Sequence, residues 1–191
     1  MRCFSCHSWS LKSICKECQA RLFEPAIRRR KVGTLEVISF YPYSAIESLL
    51  LHKHKPEGHR IYRDLARITL KPFIQKYTEA DPNQVSIIGV DERIKKGYSH
   101  VACMTHTMKT DRSKPLHSVL LSANSITYAG KTLQYRLDHP RDFRYSGPSQ
   151  IDAILVDDIV TTGITLQEAQ NKLIEHGVNV LFALTLADAR E

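Results

Sequence analysis

Two hydrophobic rhythms run along the chain. Residues 35–41, Leu-Glu-Val-Ile-Ser-Phe-Tyr, are rich in β-branched and aromatic side chains and predict a strand that stops at Pro42. Ile46, Leu49 and Leu50 fall at helical spacing within 44–52, and Ile61, Leu65, Ile68 and Phe73 predict an amphipathic helix interrupted near Pro72. Val85 to Val90 is a short apolar run between polar flanks and predicts a buried strand; from Tyr98 to Met108 the helical period returns. Ile151 to Val156 predicts another strand. Thr165 to His176 predicts a helix opened by a capping box (Thr165 with Glu168) and stopped by Gly177, and Val178 to Leu186 a last strand. Strands alternating with helices predict an α/β fold on a parallel sheet with flanking helices. Val119 to Leu121 is a further candidate strand. Residues 122–150 are polar and punctuated by Gly130, Pro140, Gly147 and Pro148, which predicts a long excursion or hood.

The amino-terminal residues follow neither rhythm. Cys3, Cys6, Cys15 and Cys18 read C-x2-C-x8-C-x2-C. Each pair can form a knuckle that aims two thiolates at one point, and two knuckles complete the closed S4 site of structural zinc. Two disulfides or a thioredoxin-like redox pair are the alternatives; a reducing compartment disfavours the first, and the lack of an opening βαβ unit disfavours the second. The large apolar residues here are Phe4, Trp9, Leu11 and Ile14, a core so small that a metal is the expected source of its stability. Cys103 lies in a helical pattern and is expected as a buried apolar filler.

Composition changes this picture in one respect. The chain has 191 residues, 42% of them hydrophobic, which suits one domain with a small appendage. The expected division is a ribbon over 1–32 and an α/β domain over 33–191. No run of about 18 apolar residues suggests a membrane span, and the cysteine-rich start does not read as a signal peptide. The expected location is the cytoplasm, or the periphery of the inner face of the membrane. The formal charge of +7 is uneven: residues 1–31 carry eight Lys/Arg against two acids, residues 32–150 seventeen against eleven, and residues 151–191 two against seven. A basic front of this kind predicts an acidic partner. Arg28, Arg29, Arg30 and Lys31 are either a solvated linker or a phosphate-contacting strip for nucleic acid.

The sharpest motif is Ile154-Leu155-Val156-Asp157-Asp158-Ile159-Val160-Thr161-Thr162-Gly163-Ile164-Thr165. An apolar strand runs into two acids, then a hydroxyl-rich turn with one glycine, then a helix. The N–H groups of the turn and helix start converge on one oxyanion, Thr161, Thr162 and Thr165 add hydroxyls, and Gly163 lets the backbone approach. Two acids would repel a phosphate, so their expected partners at the strand's carboxyl end are sugar hydroxyls or a metal. A ribose 5-phosphate fits the whole set; a P-loop does not, because no Gly-Lys-Ser/Thr follows.

This stretch resembles the phosphoribosyl pyrophosphate (PRPP) motif of type I phosphoribosyltransferases. The resemblance implies that Asp157 and Asp158 hold the ribose hydroxyls and act in catalysis, that Thr161, Thr162, Gly163, Ile164 and Thr165 hold the 5-phosphate, and that Mg²⁺ accompanies PRPP. A four-cysteine ribbon ahead of such a domain is similar to the ComF family of natural-competence proteins, which implies a role in DNA transformation, with single-stranded DNA and DNA-uptake proteins as partners. The family's Val-Pro strand end and Arg-Gly-Phe-Asn-Gln helix start are replaced here by Gly89-Val90-Asp91-Glu92 and Lys96-Gly97-Tyr98-Ser99-His100. The departures fall where pyrophosphate would be held. Arg93, Lys95 and Lys96 are the candidate donors, whereas Asp91 and Glu92 would repel pyrophosphate unless they hold Mg²⁺.

Three functions follow. One is a PRPP-type fold that handles single-stranded DNA, with Tyr41, Tyr43, Tyr98, Tyr128, Tyr135 and Tyr145 as candidate stacking surfaces. The second is an active phosphoribosyltransferase acting on an unidentified base. The third is a scaffold that docks a partner through the ribbon.

Overall fold

The computed structural model describes residues 1–22, 24–94, 97–124, 135 and 138–190. After helix α1 (Lys16–Leu22), strands β1 (Arg28–Val32) and β2 (Leu35–Pro42) form a hairpin. Its turn places Gly33 at φ +59°, a left-handed conformation that glycine adopts without strain. The basic run is therefore not a linker: Arg28 to Lys31 lie in the outermost strand of the main sheet. Helices α2 (Tyr43–Leu50), α3 (Gly58–Ile68) and α4 (Leu70–Ala80) follow. The expected break near Pro72 falls earlier, at Thr69, whose hydroxyl donates to the Leu65 carbonyl (2.8 Å). Pro72 sits in the first turn of α4, where a missing N–H costs nothing.

Strand β3 (Val85–Gly89) and helix α5 (His100–Thr107) come next, and the α5 start is capped by the Ser99 hydroxyl, which accepts from the Ala102 N–H (3.1 Å). Strand β4 (Ser113–Leu116) lies at the sheet edge, where Pro115 is tolerated. The 119–121 run becomes β5 (Leu120–Ser122), which leaves the main sheet and pairs antiparallel with β6 (Phe143–Tyr145). The rest of the expected hood, 125–134 and 136–137, lies outside the described residues. Strand β7 (Asp152–Val160), helix α6 (Ile164–Glu175) and strand β8 (Asn179–Asp188) complete the chain.

The main sheet has the order β1-β2-β8-β7-β3-β4, and every pair except β1–β2 is parallel. This is the α/β architecture the sequence predicts. Its central strands are buried on both faces, which explains why β7 and β8 read as near-continuous apolar runs. One core, built on Ile38, Phe40, Ile87, Ile154 and Leu184, packs under α2 to α5; the other, with Val37, Ile88, Leu155 and Ala183, packs under α6 and β5.

The ribbon joins the first of these cores. Ile14 is fully buried there beside Cys3 and Cys18, Phe4 packs on the His52 ring (5.6 Å between centroids), and the Ser13 N–H donates to Asp64 Oδ2 of α3 (3.2 Å). Trp9 and Leu11, by contrast, are 82% and 99% exposed, so half of the expected ribbon core faces solvent. Cys103 is half-buried rather than a core filler. Because Ile14 fills space in the main core, Ile14→Ala is expected to destabilise the whole protein by about 2–4 kcal/mol in urea unfolding, as large-to-small core changes do. A loss confined to the ribbon, with the main transition unmoved, would contradict this packing.

Candidate functional site at the carboxyl end of the sheet

Strand β7 outruns its neighbour on one side. Pairing with β3 ends at Gly89 opposite Val156 and the bond from the Val90 N–H to the Val156 carbonyl, whereas pairing with β8 continues to Val160 opposite Asp188. Asp157 and Asp158 thus lie within β7, not at its end as expected, in the stretch where one edge of the strand has opened. Ligands of open α/β sheets bind in such a crevice.

Successive side chains of a strand point to opposite faces, and the two acids meet different surroundings. Asp158 turns towards α3 and α5 and is 8% exposed. Its Oδ2 lies 3.2 Å from Lys53 Nζ, 3.4 Å from the Tyr62 hydroxyl and 3.4 Å from His100 Nε2. Burial alone would raise its pKa, but the Lys53 ammonium and His100 outweigh it and hold the carboxyl well below the usual range. Asp157 is partly exposed, and its Oδ1 accepts the Asp158 N–H (2.8 Å). Burial of its carboxylate and the charge of Asp158 push its pKa well up. Lys53, Tyr62 and His100 escaped the sequence reading. Only His100 lay in a motif considered there, and no local pattern joins a turn, a helix and a helix start to one oxygen.

The turn after β7 has the features of an anion cradle. Gly163 takes φ +88°, and a Cβ on it would collide with the Val32 side chain, so this position requires glycine. Gly163 also occupies the cap position of α6, and no side chain caps the helix. The expected capping box is absent: Glu168 Oε2 instead accepts the Arg141 N–H (2.8 Å), tying α6 to the segment before β6. The N–H groups of the first turn therefore remain available, beside the hydroxyls of Thr162 and Thr165. Arg30 supports the loop from outside, donating through Nε to Asp188 Oδ2 (2.7 Å) and through Nη2 to the Thr161 carbonyl (2.6 Å).

On the opposite wall, Asp91 and Glu92 are internally satisfied. Glu92 is 2% exposed and accepts from the Thr105 hydroxyl (2.7 Å) and the Ser118 N–H (2.7 Å), with His117 Nδ1 at 3.2 Å. Asp91, in the left-handed region at φ +53°, accepts the Ser122 N–H (3.1 Å) and meets Arg141 Nη1 at 3.3 Å. Arg93 is turned onto the same group, with Nε 4.0 Å from Asp91 and Nη2 donating to the Ser122 carbonyl. Lys95 and Lys96 lie outside the described residues.

The basic strand divides its charges between two faces. Arg28 reaches the Arg190 carbonyl (3.4 Å) and Arg30 the loop; Arg29 pairs with Glu36 (3.2 Å) and Lys31 is exposed. Among the tyrosines, Tyr41 is buried, the Tyr98 hydroxyl donates to the Lys53 carbonyl (2.6 Å), and the Tyr145 hydroxyl donates to the Pro148 carbonyl (2.7 Å). Tyr128 lies outside the described residues.

At the ribbon, the sulfur atoms of Cys3, Cys6, Cys15 and Cys18 all lie within 4.8 Å of one another, with Cys6 and Cys15 3.7 Å apart, and could bind one metal ion. Backbone N–H groups of Ser5 and Cys15 donate to Cys3 Sγ (3.4 and 3.3 Å). Without a metal the thiols are electrostatically uneven: hydrogen bonds from Ser8 lower Cys6 to about 6, whereas burial and the neighbouring thiols raise Cys18 to about 12.

No protein-family model matches the chain, and no curated protein matches it in sequence. Among solved structures it is similar to UMP synthase of Leishmania donovani, at 17% identity over 67% of this chain (TM-score 0.38), and it spans only 22% of that chain. It is similar to adenine phosphoribosyltransferase of Saccharomyces cerevisiae at 16% identity, covering 85% of this chain and 83% of that one (TM-score 0.41). Orotate phosphoribosyltransferase of Mycobacterium tuberculosis in complex with PRPP matches at 19% identity, covering 75% and 66% (TM-score 0.42). No helix among the described residues is long and apolar enough to cross a membrane.

The two acids should respond oppositely to neutralisation. A carboxyl whose folded pKa is raised, like Asp157, costs stability once the pH exceeds its unfolded value; one whose folded pKa is depressed, like Asp158, contributes stability there and loses it as the pH falls towards the folded pKa. At pH 7.5, Asp157→Asn is expected to raise the melting temperature by about 2–4 °C, the shift of ~1 kcal/mol in a chain of this size, and Asp158→Asn to lower it. The gain from Asp157→Asn should fade towards about pH 4, where the wild-type carboxyl is itself protonated. Equal shifts of the same sign would refute this account.

Proposed function

We propose that this protein binds a 5-phosphorylated ribose at the carboxyl end of β7, with PRPP as the ligand, and that Cys3, Cys6, Cys15 and Cys18 hold zinc in an amino-terminal ribbon that ends before β1. The observation that carries the reading is the overshoot of β7 past β3, which sets Asp157, a residue of intermediate exposure, and an uncapped helix start around one crevice. In this reading the phosphate lies against the N–H groups of Gly163, Ile164 and Thr165 and the hydroxyls of Thr162 and Thr165, and a sugar hydroxyl donates to Asp157. The backbone N–H of Asp158 fixes the orientation of Asp157 by donating to its Oδ1. Mg²⁺ bound with PRPP supplies charge neutralisation for the pyrophosphate, and carboxylate oxygens are suitable ligands for it. For zinc, four thiolates are the fitting donor set, and the 3.7 Å sulfur spacing agrees with the roughly 3.8 Å of a tetrahedral S4 site.

Binding comes first in this reading and transfer second. Phosphoribosyl transfer to a base needs donors on the departing pyrophosphate, because charge separates in the transition state. Arg93, Lys95 and Lys96 are the residues for that task, and Arg93 would have to leave Asp91 and Ser122 to perform it. Calorimetric titration with ribose 5-phosphate, and with PRPP plus Mg²⁺, is expected to give saturable one-to-one binding. Thr162→Val should weaken it about tenfold, the worth of one hydrogen bond to a charged group. Failure of both ligands to bind overturns the reading.

A second reading adds the handling of incoming single-stranded DNA in transformation, beside DNA-uptake proteins, as in the ComF family. It is favoured by the exposure of Arg28, Arg29 and Lys31 on the edge strand that supports the phosphate loop. If about four phosphates are contacted, log K for an oligothymidylate should fall with log salt at a slope near −3. A salt-independent affinity would count against it.

A further inference from the structure

A second concentration of positive charge lies at the far edge of the main sheet, with β3 between it and β7. The end of α5, the turn that follows it and strand β4 border a cleft of about 440 Å³. His106, Lys109, Arg112, Lys114 and His117 line it, and Asp111 is the one acid among the described lining residues. That volume falls within the range of small-molecule sites. Three fixed cations against one carboxylate make the cleft positive before either imidazole is protonated. Among the described residues, none of the three cations forms an ion pair. Like charges gathered around one cleft repel one another, and an anion placed between them relieves that repulsion.

The charges are held in place by the turn that carries them. The Thr110 N–H donates to the Ser113 carbonyl (3.1 Å), and the Ser113 N–H donates to the Thr110 hydroxyl (3.0 Å). Arg112 Nη1 donates to the Thr78 carbonyl of α4 (3.1 Å), which anchors the guanidinium. Opposite the turn, the His106 and His117 rings stack with centroids 5.9 Å apart, and Glu92 Oε2 lies 3.2 Å from His117 Nδ1, which orients that ring. The same bonds close the edge to a pairing strand. Ser113 gives both of its backbone groups to Thr110, and Pro115 has no N–H to offer.

We infer that this cleft is a second anion site, separate from the loop after β7, that takes a small multiply charged phosphate compound such as pyrophosphate or a nucleoside polyphosphate. Several cations around one cleft match a ligand with several charges, and phosphate oxygens accept from both ammonium and guanidinium donors. The site stands whether or not the β7 loop holds a sugar phosphate.

The test is a titration of the full chain with pyrophosphate at low salt, without Mg²⁺, followed residue by residue in ¹⁵N–¹H NMR spectra. Saturable shifts are expected at Lys109, Arg112, Ser113 and Lys114. Lys109→Ser combined with Lys114→Ser should weaken binding at the cleft about tenfold, the order expected of two exposed charge contacts. Both residues are exposed, so the fold should be kept. Lys71→Ser combined with Lys76→Ser removes the same charge from the exposed face of α4 and should leave the affinity of the cleft within about twofold, because distant surface charges are largely screened. Equal weakening by the two double variants overturns the site, since it would show attraction to net charge alone. Shifts confined to residues 161–165 also overturn it, while leaving the sugar-phosphate reading intact. An oligothymidylate that shifts the cleft residues at a lower concentration than pyrophosphate would assign the cleft to nucleic acid and overturn it as well.

Discussion

A buried ionised carboxylate must find a counter-charge or lose its charge, and much of this molecule is arranged around one such group. Asp158 gathers Lys53 from the turn after α2, Tyr62 from α3 and His100 from the first residue of α5. Three elements separated in sequence are thereby referenced to one point on the central strand. Removing a partner from such a cluster exposes the full cost of an uncompensated charge, so the cluster fixes geometry more firmly than its net contribution to stability would suggest. Asp157 is its neighbour in the strand, and its own burial together with the charge of Asp158 pushes its pKa up.

The loop side of the crevice is organised by different means. In the proposed reading the backbone N–H groups and threonine hydroxyls meet the phosphate, and the side chains around them set the shape of the loop. Gly163 makes the left-handed step that leaves α6 uncapped, while Val32 occupies the space a Cβ would need. Arg30 braces the loop through the Thr161 carbonyl and Asp188. The β1–β2 hairpin thus belongs to the site as much as to the sheet edge, and its basic residues do two jobs, since Arg30 is structural and Arg29 and Lys31 face outwards.

Legibility in the sequence followed the range of the interactions. The strands and helices with strong periodicity, such as β3, β7 and α6, and the loop around Gly163 are written in contiguous residues, and they could be read there. Strand β4 was not, because Pro115 and two flanking polar residues mask a strand that only an edge position tolerates. The Glu168 capping box was misread for a related reason: the pattern is local, but a distant N–H, that of Arg141, competes for the same carboxylate. Asp91 and Glu92 looked like repulsive charges because their partners, among them Arg141, Ser118 and Thr105, lie 13 to 50 positions away. The cysteine cluster was legible from spacing alone, whereas the burial of Ile14 against α3 was not.

That burial changes what losing a bound metal would mean. Were the ribbon an ornament on a flexible stalk, its collapse would leave the sheet intact. Ile14, Cys3 and Cys18 are instead part of the core beneath α2 to α5, so unravelling the knuckles opens an apolar cavity in the domain itself. A marginally stable protein with an opened core is a substrate for proteases, and modest losses of stability translate into several-fold changes in cellular abundance. Metal supply would then govern how much of this protein a cell keeps, rather than only how each copy behaves.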